Sequence, residues 1–284
     1  MKRVVVLSIA VFLAVFSYAQ DAAEKINQGN EALKAQDYAK AYTLYNEAMS
    51  NLGDVQVDDA INFNIGFAAY KSDNLDGAIK YFDIAIKKNV NVAKCYEYKA
   101  LAYNDKKDYK NAVASFEKAI AVSDVEDDKQ SMTFNGAIAA YKGNMLDKAV
   151  ELFGKSVEMG YKPETAIYYK AVVLKKQKKD DEYKATLEEG VQKFPTDEKI
   201  TSALANIYVS EGNDLYKKGA AILGAANKKI NAGSLKTTDA AYISEVDKSK
   251  VQFQAAVDVL QKALDIDASN ANAKKLMDAC KGVL

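Results

Sequence analysis

Along most of the chain, small and aromatic residues recur on one helical face. Asp37-Tyr38-Ala39-Lys40-Ala41 and Asp108-Tyr109-Lys110-Asn111-Ala112 each lead to an aromatic four residues past the last alanine, Tyr45 and Phe116. An alanine follows three further on, Ala48 and Ala119. Leu75 to Ala78 with Phe82 and Ala85 repeats the pattern, and Leu146 to Ala149 with Phe153 and Ser156 does so again. Steps of four and three place these residues on one side of an α-helix. Alanine at a helix crossing lets two backbones approach, and the aromatic fills the wider gap beside it. Another helix precedes each of these, marked by Ile65-Gly66 and Ala69 in one unit and by Ala100 and Tyr103 in the next. Short polar turns such as Lys106-Lys107-Asp108 separate the two. The pattern predicts helical hairpins that bury this face only by stacking on a neighbour.

Ala41, Ala78, Ala112, Ala149 and Tyr183 are equivalent, at spacings of 37, 34, 37 and 34. Every second linker is therefore expected to carry three extra residues. Phe63 to Ala78 and Phe134 to Ala149 share the pattern F-N-x-x-x-A-A-Y-K-x-x-x-L-D-x-A, so a two-hairpin block is duplicated.

These units resemble the tetratricopeptide repeat, a 34-residue hairpin with small residues at its eighth, twentieth and twenty-seventh places. The resemblance covers residues 22–212 and implies an all-α fold: a right-handed superhelix of antiparallel hairpins with an irregular C-terminal helical unit. Tyr183 stands where a small residue is usual and implies a wider crossing in the fifth hairpin. The expected division is a signal peptide over 1–19, an array of about five and a half hairpins over 20–212, and an irregular, inserted last repeat with a capping helix over 213–284. From the sixth unit onward the expected helices are 198–210, then 213–230, then one running to Ile266, with a polar interruption over 231–237. Ser269 or Asn270 is the expected N-cap of a final helix over 271–283. This ending resembles that of exported tetratricopeptide proteins of Gram-negative bacteria.

The first residues read as a leader. Lys2 and Arg3 precede an uncharged apolar run from Val4 to Phe16, and Ser17-Tyr18-Ala19 sets small residues three and one before a cut ahead of Gln20. The run is short for a membrane span. No cysteine follows it, so no lipid anchor is expected, nor a transmembrane segment after cleavage. The expected location is outside the cytoplasm, in the periplasm.

Composition narrows the chemistry. Arg3 is the sole arginine, and histidine and tryptophan are absent. Of the 39 basic residues, Lys2 and Arg3 leave with the leader, so 37 lysines face 39 acids for a net charge of −2. Neither the charge nor the missing arginine forks suit a nucleic-acid binder. Without histidine the usual triads and zinc sites are not available. No glycine-rich phosphate loop occurs; Gly219, Gly224 and Gly233 are scattered. Cys95 and Cys280 read as two buried free thiols, too far apart in a repeat array to pair. Asp124, Glu126, Asp127 and Asp128 read as a solvated acidic linker, with a calcium site as the sharper alternative. Asp265, Asp267 and Ser269 start like a calcium loop, but Asn270 and Leu276 stand where its glycine and glutamate belong. The run Lys175, Lys176, Lys178, Lys179 reads as a charged turn. No cofactor, no metal and no enzymatic activity are expected.

The resemblance assigns the inner face of the array to the first helix of each hairpin, at its second, fifth, sixth, ninth, twelfth and thirteenth places. The residues so placed are Asn27 and Asn30; Phe63, Asn64, Phe67, Tyr70 and Lys71; Tyr98 and Leu101; Phe134, Asn135, Ile138, Tyr141 and Lys142; and Tyr168, Tyr169 and Val172. Asparagine offers donor and acceptor to an extended backbone without selecting its sequence. Aromatic rings give contact area at low entropic cost. Equally, Phe63, Phe134 and the tyrosines have a packing role between neighbouring first helices. The carboxylate clamp of the family's co-chaperones is missing. Asn30 fits its ninth place, but Ile26, Phe63, Glu97, Phe134 and Tyr168 occupy the fifth.

The expected function is a protein-interaction scaffold in which a peptide or protein partner occupies the groove, in cell-envelope assembly. The alternative is a self-associating structural repeat protein without a peptide ligand. A third reading is an enzyme using a carboxylate pair on polysaccharide.

Overall fold

The computed structural model describes residues 20–52 and 55–284; the expected leader lies outside them. Among the described residues every regular element is an α-helix, and there are thirteen. They form two compact units, the first ending at Tyr161 and the second running from Lys162 to Leu284. The first unit holds α1 (20–34), α2 (Tyr38–Ser50), α3 (Ile61–Lys71), α4 (Leu75–Lys87), α5 (Val92–Asp105), α6 (Tyr109–Val122), α7 (Glu126–Lys142) and α8 (Leu146–Glu158). The second holds α9 (Pro163–Lys176), α10 (Asp180–Lys193), α11 (Glu198–Asn231), α12 (Ala240–Ile266) and α13 (Ala271–Lys281).

The repeating face forms the core as its spacing requires. Ala41, Ala78, Ala112 and Ala149 are fully buried, as are Tyr45, Phe82 and Phe153. Tyr183, in the fifth hairpin, is also buried, with the Lys175 ammonium 5.2 Å from its ring centre. Opposite the aromatics the first helix carries glycine: a Cβ at Gly29 would sit 2.8 Å from the Tyr45 ring, and one at Gly66 2.8 Å from the Phe82 ring.

Each of the first five hairpins turns in the same way. Gln36, Asp73, Lys107, Asn144 and Lys178 have φ between 58° and 63°, at the same spacings as the alanines of the core. The following N–H reaches back five residues, as in Asp37 to Ala32 (2.9 Å) and Lys179 to Leu174 (3.0 Å). This left-handed closure satisfies carbonyls left over at the end of the first helix. Asp37, Asn74 and Asp108 then cap α2, α4 and α6 through their side chains.

Two expectations are corrected. The connection from α2 to α3 is long, but that from α6 to α7 is only 123–125. The extra residues instead lengthen α7 to 17, against 11 in α3 and 14 in α5. Glu126, Asp127 and Asp128 are its first turn, where carboxylates meet the positive end of the helix. Asp128 also pairs with Lys94 at 2.9 Å. The acidic stretch is thus mostly helix.

The second correction concerns α11. It runs unbroken through 34 residues, where a division at 211–212 was expected. Gly212 is buried inside the helix, and a Cβ there would meet Leu260 at 2.7 Å. Gly212, Gly219 and Ala226 lie seven apart and buried, and Phe253 and Leu260 of α12, also seven apart, fill the space above the two glycines. A seam of small against large residues lets the two long helices run close together. Asn270 caps α13, its side chain accepting from the Ala273 N–H at 3.0 Å. Ala273, Met277 and Cys280 close the core with Phe253, Leu260 and Ala263.

Candidate functional site

The first helices bring three expected asparagines together. Asn27 and Asn30 on α1 and Asn64 on α3 line a cleft of about 430 Å³ in the first unit. Its floor is apolar, from Ala23, Ile26 and Ile61, and one wall is the segment 55–58. Asn30 accepts the Tyr45 hydroxyl proton at 2.7 Å, which fixes its amide and leaves its NH₂ to donate. Asn27 is exposed and Asn64 half-buried, and neither side-chain amide has a hydrogen-bond partner among the described residues. Asp58 is the cleft's charged group; its carboxylate accepts the Ala60 N–H at 2.8 Å.

The expected aromatics behave differently. Phe63, Phe67 and Tyr98 pack on one another, with ring centres 5.2 Å apart for Phe67–Tyr98 and 6.2 Å for Phe63–Tyr98. Phe82 lies 5.8 Å from Tyr98, and Tyr38 5.8 Å from Phe67. This cluster joins α3, α4 and α5, with Tyr38 at the head of α2, so the packing role dominates. Tyr70 donates to Asp105 at 3.1 Å, and burial together with that carboxylate pushes its hydroxyl up to about 12. Lys71 is exposed, its ammonium 5.6 Å from the Phe67 ring. Leu101 is half-buried.

Phe134 is a correction: only 7% exposed, it stands edge-on to Phe153 and Tyr161 at 6.0 and 5.9 Å. Tyr161 holds in the second copy of the duplicated block the place Val90 holds in the first, and this larger residue covers Phe134 where Phe63 stays half-buried. The two copies of the Phe-Asn pair are therefore not equivalent surfaces. Asn135, Ile138 and Tyr141 are half-buried and Lys142 is exposed.

In the second unit Tyr168 and Tyr169 meet edge-on at 5.9 Å. They line a polar cleft of about 370 Å³ with Glu164 and the start of α11, where Lys199 approaches Tyr168 at 6.0 Å. Val172 is half-buried. The sequence reading passed over Asn206. It lies one repeat beyond Val172 and holds in the sixth hairpin the place Asn30 holds in the first, so extending the repeat spacing by one more unit finds it.

Both cysteines are free and buried. Burial raises both thiols, Cys95 to about 12, and Cys95 donates to the Val90 carbonyl at 3.3 Å. Such thiols are structural. Among the described residues no three His, Cys, Asp or Glu side chains gather as a metal site, and no helix is long and apolar enough to cross a membrane. What the cleft between α1 and α3 offers is hydrogen bonding from amides beside an apolar floor.

Repeating antiparallel hairpins with these turns define a helical repeat protein, a fold of the protein-interaction scaffold type. Residues 63–127 match the family model of the tetratricopeptide repeat. The human DnaJ homolog subfamily C member 7 is 31% identical over 107 residues, 37% of this chain; the chain spans 22% of that relative's length. Among solved structures, a TPR repeats protein of Bacteroides fragilis is 23% identical, covering 93% of this chain and 99% of its own, with a TM-score of 0.39. YrrB, described as a TPR protein with an unusual peptide-binding site, is 16% identical, covering 68% of this chain and 96% of its own, with a TM-score of 0.50. That last likeness is one of fold.

Proposed function

We propose that the protein is an exported, non-catalytic scaffold of the cell envelope that holds an extended segment of a partner protein in the cleft between α1 and α3. The observation that carries this reading is the meeting of Asn27, Asn30 and Asn64 over an apolar floor. An extended segment has unpaired N–H and C=O groups along its length, and these amides answer both. The aliphatic floor takes alternate side chains. Export rests on the leader pattern over residues 1–19, and periplasmic residence on that leader without a lipid-anchor cysteine.

The test is crosslinking of the chain in its native envelope, followed by capture with the Asn27→Ala/Asn64→Ala variant. Loss of the crosslinked partner at unchanged melting temperature supports the cleft; unchanged capture removes it. N-terminal sequencing of the cell-envelope fraction beginning at Gln20 supports export. A chain retaining Met1 in the cytosol overturns it.

A further inference from the structure

The irregular end of the chain builds a second cleft, of about 380 Å³, between α11 and α13. On α11 its lining residues Asn206, Val209, Ser210, Asn213 and Tyr216 follow helical spacing; on α13 Asn272, Lys275 and Leu276 do the same. Val209, Tyr216 and Leu276 supply an apolar floor. Asn206, Asn213 and Asn272 line it as well, and none of their side-chain amides has a hydrogen-bond partner among the described residues.

That sets them apart from other asparagines of the chain. Asn30, Asn46 and Asn227 accept tyrosine hydroxyls, and Asn74 and Asn270 cap helices. Lys275 is the charged residue of the lining; it pairs with no carboxylate among the described residues, and no acid lines the cleft. Beyond Asn206 the neighbouring hollow holds Asp180, Asp181, Glu211 and Asp214 with Lys175 and Lys184, and Lys184 pairs with Glu211 at 2.7 Å, so acids outnumber lysines there.

We infer that the cleft between α11 and α13 is a second docking site, which takes an extended segment of a partner protein bearing an aliphatic side chain and, beside it, an aspartate or glutamate that pairs with Lys275. Extended backbone is favoured over helix because a helix satisfies its own amides and would leave the three asparagines unused. A carboxylate is favoured because Lys275 is the one charged residue of the lining, and the excess of acids past Asn206 confines it to the Lys275 end. The site needs α13 and so lies outside the repeating hairpins. It does not depend on the α1/α3 cleft.

The test is selection of a displayed heptapeptide library, flanked by constant linkers so that no free terminus is offered, on the whole chain from Gln20. The expected winners combine an aliphatic residue with Asp or Glu. Their affinity falls about tenfold in Lys275→Ala, falls further in Lys275→Glu, and returns in Lys275→Arg. Asn206→Ala/Asn213→Ala weakens them as well, while Asn27→Ala/Asn64→Ala leaves them unchanged. These residues are exposed or half-buried, and equal melting temperatures show that the fold is kept. Winners without acids, winners that bind as helices, or binding indifferent to Lys275 overturn the site. Loss only in Asn27→Ala/Asn64→Ala assigns binding to the first cleft and overturns the second.

Discussion

The Phe82 ring occupies the space a side chain at Gly66 would need: a Cβ there would stand 2.8 Å from two ring carbons. Phe82 is fully buried and also packs against Phe63 and Tyr98, so it has nowhere to retreat. Gly66→Ala is expected to destabilise by about 1–3 kcal/mol through overpacking, although alanine is ordinarily the better helix former. Gly154 in α8 is the control, because a Cβ there meets nothing within 4 Å. Gly154→Ala is expected to stabilise by about 0.5–1 kcal/mol. Urea unfolding of the two variants gives opposite signs if close approach, not helix propensity, rules the first site.

The hairpin turns hold non-glycine residues at positive φ. Lys107, at 61°, is exposed and makes no ion pair among the described residues. Its left-handed backbone costs an L-residue about 1–2 kcal/mol, and glycine is free of that cost but loses more entropy on folding. Lys107→Gly is expected to stabilise by about 1 kcal/mol, and Lys107→Val to destabilise. Thermal melts of both variants check the order.

Legibility in the sequence followed the physics of each feature. The hairpins were readable because Ala41, Ala78, Ala112 and Ala149 must be small at each crossing, and their spacing fixed the repeat. The left-handed turns were not, since Gln36, Lys107 and Lys178 carry no turn signal of their own. Backbone closure selects the conformation there. The α7 extension hid behind its acids, which resemble a solvated linker until they are placed at a helix start. The continuity of α11 through 211–212 was not legible either, because the buried approach of Leu260 to Gly212 leaves no local trace. In the candidate site the asparagines of α1 and α3 were legible from repeat position. The burial of Phe134 was not, because it depends on Tyr161, beyond the end of the following helix, and on nothing in its own.

The caps are uneven, and that is correctable. Asn74 accepts the Gly77 N–H at 2.9 Å, whereas Lys179, with nearly the same backbone (φ −94°, ψ 71° against −88°, 75°), begins α10 with no side-chain cap. Lys179→Asn is expected to stabilise by about 1 kcal/mol. The lost contact with Glu182, at 3.7 Å on the surface, subtracts little. Denaturant midpoints decide it: a fall shows that the ammonium matters more than the cap.

Tyr45 makes the fold sensitive to alkali. It is fully buried between α1 and α2, hydrogen-bonded to Asn30, and burial pushes its hydroxyl up to about 12. Unfolded tyrosine releases its proton near 10. Between those values the unfolded chain binds fewer protons than the folded one, so stability falls as pH rises. Below pH ~10 both states hold the proton and this group adds no pH dependence. Tyr70 and Tyr208, also raised to about 12, act in the same window. Melting temperatures of the native chain are therefore expected to drop from pH ~10 upward. Tyr45→Phe starts lower at pH 8, having lost the bond to Asn30, but declines less steeply. Parallel slopes for the two proteins would show that the buried hydroxyl is not what alkali titrates.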